Sequence, residues 1–149
     1  MSAALYLANA DDLTVLQKLV ADYHAEIGLE QSEDTCQNAL LPLLQDSSLG
    51  AIYLIGPRRG PVGYLILSFI YSVKMGGVSG VIDEFFIRPN VRGRGVASEV
   101  LHKLIPALAS SGLQALQLEI GKDHSAAQRL YARMGFRAHE DCHLLSRQL

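Results

Sequence analysis

The residues with the clearest chemical purpose lie together at Arg92-Gly93-Arg94-Gly95-Val96-Ala97-Ser98, directly after Phe85-Phe86-Ile87-Arg88-Pro89-Asn90-Val91. The pattern reads as a strand ended by a proline, a short turn, a glycine loop and a helix start. The first N–H groups of a helix lack internal partners, and the helix dipole adds partial positive charge at that end. Such a terminus suits a phosphate. Gly93 and Gly95 let the main chain approach a ligand closely. Arg88, Arg92 and Arg94 gather positive charge at the same spot, in a chain of net charge −2. Read alone, the loop is open to several phosphate ligands. A nicotinamide-dinucleotide fold is one alternative, because strand, glycine turn, helix and strand follow in that order. Against it, Gly93-x-Gly95-x-x-Ser98 lacks the third glycine, and Pro89 to Arg92 separate the strand from the first one. A Walker loop is excluded by the missing Gly-Lys-Ser/Thr.

A second segment, Ala127-x-x-Leu130-Tyr131-x-x-x-Gly135-Phe136, lies downstream. Together with Arg92-x-x-Gly95-x-Ala97, which matches a Q/R-x-x-G-x-G/A signature, it makes the chain resemble the GCN5-related N-acetyltransferase (GNAT) family. The resemblance implies an α+β acyl-CoA N-acyltransferase fold: a central mixed, mostly antiparallel sheet flanked by about four helices. It implies acetyl-CoA as acetyl donor, with no metal. Its pyrophosphate would lie on Arg92, Gly93, Arg94, Gly95, Val96, Ala97 and Ser98. Main-chain groups of Phe86, Ile87 and Arg88 would pair with the pantetheine arm like an added strand. Two positions depart from the commoner pattern: Ala97 replaces a second glycine, and His124 stands where many members have a cofactor-binding asparagine.

Acetyl transfer to an amine sets three requirements. The ammonium must lose a proton, since an alkyl amine with a pKa near ~10 is mostly protonated at neutral pH. The thioester oxygen needs a donor, and the leaving thiolate needs a proton. The resemblance assigns the thiolate to Tyr131, also a cofactor contact, and the oxyanion to a main-chain N–H near Phe86. For the general base it offers Glu119, at a strand end, as members acting on protein N-termini have it, and Glu84, in the stretch Ile82-Asp83-Glu84-Phe85-Phe86 that is similar to polyamine-acetylating members. Asp83 and Glu84 are expected on opposite strand faces, so that one of them faces the cleft. His24 and the 72–80 loop border the acceptor pocket on this reading, although a lone helix histidine is more often a surface residue. The acceptor stays open between a small amine, a polyamine and a protein amine. A non-catalytic acyl-CoA-binding module is the alternative, and it would need neither Tyr131 nor the glutamates.

These residues need elements to hold them. Leu5 to Ala8 reads as a strand running into a cap at Asn9 to Asp12. Leu13, Leu16, Leu19, Val20 and Tyr23 recur at helical spacing up to about Glu26, and Gly28 is the stop. A second helix is expected from Ser32 to about Gln45, kinked or ended early by Pro42. Ala51 to Ile55 and Val62 to Tyr71 form a hairpin pair around Gly56 to Gly60. Met75 to Gly80 reads as a loop and Val81 to Arg88 as a strand. A long helix starts near Arg94, with Pro106 expected to kink it or loosen its end. Ala115 to Ile120 alternates as a strand, and Ser125 to Met134 is a helix with a Ser125-x-x-Gln128 capping box and Gly135 at its end. Phe136 to Leu145 is expected as a closing strand.

The chain has 149 residues, 49% of them hydrophobic and 19% charged, which suits one folded domain over residues 1–149. Its charge balance favours no nucleic acid. Its longest apolar run, Val62 to Tyr71, is too short to span a membrane, and the start lacks a basic signal region. Two cysteines, Cys36 and Cys142, are far apart and give no disulfide framework or zinc site. A cytoplasmic enzyme is expected, with the homodimer that many members of the resembling family form.

Overall fold

The computed structural model describes residues 3–149. They form two compact units, one ending at Glu119 and the other spanning Ile120–Leu149.

The first unit is built on a five-stranded sheet of β1 (Leu5–Leu7), β2 (Gly50–Ile55), β3 (Gly63–Ser72), β4 (Gly77–Ile87) and β5 (Leu116–Leu118). The strands lie in chain order, antiparallel from β1 to β4, and β5 joins β4 in parallel. Helices α1 (Leu13–Glu26), α2 (Glu33–Leu44) and α3 (Val96–Ser110) complete it. This is the mixed, mostly antiparallel α+β architecture expected.

Asn9 starts the first helical segment. Its side chain accepts from the Asp11 N–H at 2.9 Å, and the Asp12 carboxylate accepts from the Asn9 N–H at 2.9 Å. A 3-10 turn over Ala10–Asp12 then leads into α1. Leu16, Leu19 and Val20 of α1 and Cys36, Leu40 and Leu44 of α2 pack with Ile52, Leu54, Tyr64, Ile66 and Phe86 of the sheet. Alternate residues of the strands, Ile55, Leu65 and Leu67, are also fully buried. A sheet buried on both faces explains why β2 and β3 read as near-continuous apolar runs. From α3, Val100, Leu101, Leu104 and Leu108 are buried. No helix among the described residues is long and apolar enough to cross a membrane.

Two expectations need correction. β4 begins at Gly77, inside the segment expected as a loop. Gly80 resembles a loop residue by type, but a Cβ there would lie 2.9 Å from side-chain carbons of both Leu113 and Leu67, so this glycine serves packing within a strand. Helix α3 carries Pro106 inside it and runs to Ser110, in keeping with the apolar spacing through Leu108. No strand forms over 136–145. Polar Glu140, Asp141, Cys142 and His143 interrupt that segment, which has no period-two apolar set to bury.

The second unit holds one helix, α4 (Ser125–Arg133). His124, not Ser125, is its N-cap: the His124 Nδ1 accepts from the Ala127 N–H at 3.3 Å. The Gln128 amide donates instead to the carbonyl of Lys122 at 2.5 Å. A ring nitrogen can satisfy an orphan first-turn donor as an asparagine oxygen would.

Candidate active site

The site grows from β4. Parallel pairing with β5 covers only Gly80 to Ile82, whereas β4 continues to Ile87 with its partner on the β3 side alone. The far half of β4 therefore presents an open main-chain edge. The Arg88 N–H donates to the Val62 carbonyl at 2.8 Å, which marks Val62 and Arg88 as a bonded pair. Antiparallel ladders alternate, so the Phe86 amide is directed at Tyr64 and those of Phe85 and Ile87 at the open edge. Ile87 thus offers the outward N–H that the sequence reading placed near Phe86. The Ile87 carbonyl is engaged by the Arg92 Nε at 2.8 Å, and both main-chain groups of Arg88 are bonded, its carbonyl to the Val91 N–H at 3.0 Å.

The strand ends in a 3-10 turn, Pro89–Val91, and then the loop. Gly93 and Gly95 both have φ of 77°, a conformation that favours glycine. A Cβ at either would meet nothing within 4 Å, so the loop faces open space. Gly95 is the N-cap of α3, and no side chain caps that helix. The first-turn donors at Val96, Ala97 and Ser98 are left to a ligand or solvent.

The three arginines divide. Arg92 grips Glu26 with both terminal nitrogens, at 2.6 and 2.8 Å, and lies 5.6 Å from the centre of the Phe86 ring. That hydrogen bond to Glu26 raises its pKa further. Arg88 lies 3.8 Å from Asp22 and donates to the Pro61 carbonyl at 3.4 Å. Arg94 is exposed and makes no ion pair or hydrogen bond among the described residues. It is the loop's available cation.

Glu84 sits one residue past a β-bulge. Ile66 faces Glu84 and Leu67 faces Ile82, which leaves Asp83 unmatched. The Tyr64 hydroxyl donates to Glu84 Oε1 at 2.6 Å, and His24 Nε2 lies 2.8 Å from Oε2. Burial, then the charge of Glu84 and the hydrogen bond to it, push the Tyr64 phenol far above its ordinary range. It is a permanent donor. Asp83 still reaches solvent, but partial burial and the charges of Glu84 and Glu119 hold its carboxyl above the usual range, with His24 opposing. Both Asp83 and Glu84 influence Tyr23, whose phenol is raised first by burial and then by their charge. Of the pair, Glu84 turns inward to His24 and Tyr64 while Asp83 stays exposed, so one of the two faces inward as expected. Glu119 is exposed just after β5.

His24 was expected at the surface and is buried. The signal was present: Leu16, Val20 and His24 recur at every fourth residue along one helix face. His24 also lines a cleft with Ala25, Gly28, Glu30, Glu33 and Cys36 between the end of α1 and the start of α2. A second cleft is lined by Asp22, Glu26, Phe86, Arg88 and Asn90. In the second unit, Tyr131 is half-buried on α4 and packs edge-on against Phe136, ring centres 5.4 Å apart. His124 caps the same helix, which leaves its Nε2 as the remaining ring group.

A mixed sheet with an open β4 edge, leading into an uncapped helix start through a two-glycine loop, defines an acyl-CoA-type transferase fold. The chain matches the acetyltransferase (GNAT) family over residues 14–136 and belongs to that family. Among curated proteins it is 29% identical over 82 residues to an uncharacterised N-acetyltransferase of Methanocaldococcus jannaschii, covering 54% of this chain and 36% of the relative. It is 28% identical over 82 residues to a thialysine N-epsilon-acetyltransferase of Bos taurus, covering 54% and 48%. The match thus spans half or less of these curated relatives. A structure of an integron cassette protein from the mobile metagenome of Cole Harbour Salt Marsh shares 31% identity and a TM-score of 0.84, over 97% of this chain and 90% of that one. A ribosomal-protein-alanine N-acetyltransferase from Brucella melitensis shares the fold at 18% identity, with a TM-score of 0.78 and full coverage of both chains.

Proposed function

We propose that this protein is an N-acetyltransferase that moves the acetyl group of acetyl-CoA to a primary amine by direct attack in a ternary complex. The observation that carries the reading is the continuous open edge from Phe85 through Ile87 to the uncapped start of α3. An extended amide-bearing arm would pair with the edge, and its pyrophosphate would meet Gly93, Gly95, Arg94 and the first N–H groups of α3. The family match runs from the first unit into the second, as far as residue 136, which supports one acetyltransferase domain.

The acceptor enters as an ammonium and gives one proton to a carboxylate. We assign that role to Glu84, which is held by two donors, over the exposed Glu119. The amine nitrogen then bonds to the thioester carbon with the Ile87 N–H facing the carbonyl oxygen, and the carbon–sulfur bond breaks. Tyr131 supplies a proton to the departing sulfur, and the nitrogen's second proton replaces it on Tyr131, so that the proton on Glu84 is the one released. The balance is amide, coenzyme A thiol and one released proton. A half-buried carboxylate beside Asp83, with Glu119 acting on Asp83, favours a cationic acceptor, and the likeness to a thialysine acetyltransferase makes thialysine a first probe.

The test is coenzyme A release with thialysine, polyamines, aminoglycosides, amino acids and N-terminal peptides. Loss of a general acid or base lowers turnover by about a hundredfold or more, so Tyr131→Phe and Glu84→Gln should fall by that much and Glu119→Gln by far less. Turnover unchanged in Glu84→Gln overturns its role. Acetyl-CoA binding without turnover on any amine supports a non-catalytic binding module instead.

A further inference from the structure

The geometry points to His24 as a positioning residue for the acceptor-side base: with Tyr64 it clamps the Glu84 carboxylate and holds it aimed at the incoming ammonium. This rests on the proposed acetyltransferase reading and adds to it a residue outside the motifs.

Three elements converge on one carboxylate. His24 comes from the last turns of α1, Tyr64 from β3 and Glu84 from β4. Each Glu84 oxygen has its own partner, at 2.6 Å to the Tyr64 hydroxyl and 2.8 Å to His24 Nε2. His24 is 8% exposed and Tyr64 is fully buried. Tyr64 packs in an apolar cluster with Leu16, Leu19, Val20, Ile66 and Phe86, and the Tyr23 ring lies 6.0 Å from that of His24 and 6.4 Å from that of Tyr64. Removing a carboxylate from water in such a layer is costly, and a well-packed apolar trio would often serve stability as well or better. A carboxylate kept there with both oxygens fixed fits a chemical task better than a structural one.

The clamp also orders the proton traffic. Tyr64 only donates to Glu84, so it takes no proton from it. A carboxylate has further lone pairs beyond these two bonds, and one can accept from an ammonium. The charged or titratable groups around Glu84 are Tyr23 and His24 on α1, Cys36 on α2, Tyr64 on β3, Asp83 on β4 and, through Asp83, Glu119. Burial raises the ionisations of Tyr23 and Cys36, so both stay neutral where an amine acetyltransferase works. His24 also lines the α1–α2 cleft, so an acceptor in that cleft meets the histidine that aims the base.

The experiment compares the full-length wild type with His24→Leu, His24→Gln and Tyr64→Phe. The Glu84 carboxyl carbon is followed by ¹³C NMR through a pH titration and identified by its loss in Glu84→Gln. Removing a donor from a carboxylate disfavours its charged form, so His24→Leu should bind a proton at Glu84 about tenfold more tightly, one pH unit higher. His24→Gln, whose amide reaches as far as Nε2, should return to within about threefold of wild type. The acidic limb of kcat/KM for thialysine, or for the best amine of the panel, should move with the NMR midpoint. Acetyl-CoA affinity, measured by calorimetry, should stay within about twofold. A His24→Leu protein with wild-type midpoint and pH profile overturns the inference. So does a His24→Gln protein that behaves like His24→Leu, which marks a packing role. A wild type that neither binds acetyl-CoA nor releases coenzyme A sinks the functional reading, while the NMR arm still decides whether His24 governs Glu84.

Discussion

Arg92 shows how residue type and residue role separate. By sequence the three arginines around the loop are equivalent cations. In the fold, Arg92 is committed to Glu26, 66 residues away, and helical or strand periodicity gives no sign of such a pair. Arg94 alone projects unpaired. One charge-assisted contact to phosphate, partly exposed, is worth at least about 1.4 kcal/mol, or tenfold in affinity. Arg94→Ala should therefore weaken acetyl-CoA binding about tenfold, and the loss should shrink at high salt. Equal affinity at low salt would show that the main-chain donors carry the phosphates. Asp83 gives a second residue-scale prediction. Its pKa is raised in the fold by partial burial and by Glu84 and Glu119, so the folded state holds its proton more tightly than the unfolded one. Its contribution is complete below the ordinary carboxylate range and is lost as pH rises through the raised value. Asp83→Asn should thus raise the melting temperature at pH 7 and leave it unchanged near pH 3, as calorimetry would show.

At the scale of elements, self-contained local chemistry was legible at the start of α1 and missed at the start of α4, where His124 caps in place of the expected Ser125. The Asn9 to Asp12 cap and the α1 stripe depend on near neighbours, and each forms where the sequence places it. Strand β5 forms only over Leu116–Leu118, shorter than the expected 115–120 and with no alternation in burial. The capping box predicts that Asn9→Ala costs about 1 kcal/mol, which a urea unfolding series would detect as a lower midpoint at unchanged slope. An unchanged midpoint would mean that water replaces the cap without loss. Features set across strands were hidden. The bulge at Asp83 exists only in register with Ile66 and Leu67, and Gly80 reads as a loop residue until Leu113 and Leu67 are placed against it. The strand expected over 136–145 fails for a related reason. Alternation must be bought by burial, and Phe136, Leu144 and Leu145 are too scattered to supply it. The His24–Glu84–Tyr64 clamp belongs with the hidden features: each member was visible, and Glu84 was singled out, but their meeting requires α1, β3 and β4 at once.

For the whole molecule, the order of elements and two short motifs were enough to identify the family, because the loop after β4 and the segment around Tyr131 are fixed in the chain. The acceptor was not legible, since the two clefts of the first unit are lined by residues from α1, from α2, from β4 and from the turn after it that share no motif. The donor can be tested on the whole protein without knowing the acceptor. A ligand that binds only the folded state at a hundredfold excess over its Kd stabilises by about 2.7 kcal/mol. For a chain of this size that is roughly 5–10 °C in melting temperature. Acetyl-CoA should produce such a rise, and coenzyme A a comparable one, since both carry the pyrophosphate and the pantetheine arm. NAD shares the pyrophosphate but has no pantetheine to extend the β4 edge, so it should produce little. The rise should also fall with added salt, because part of the affinity is charge at Arg94 and the α3 terminus. A rise with NAD equal to that with acetyl-CoA would mean that the loop selects phosphate alone and that the open edge from Phe85 to Ile87 contributes nothing to binding.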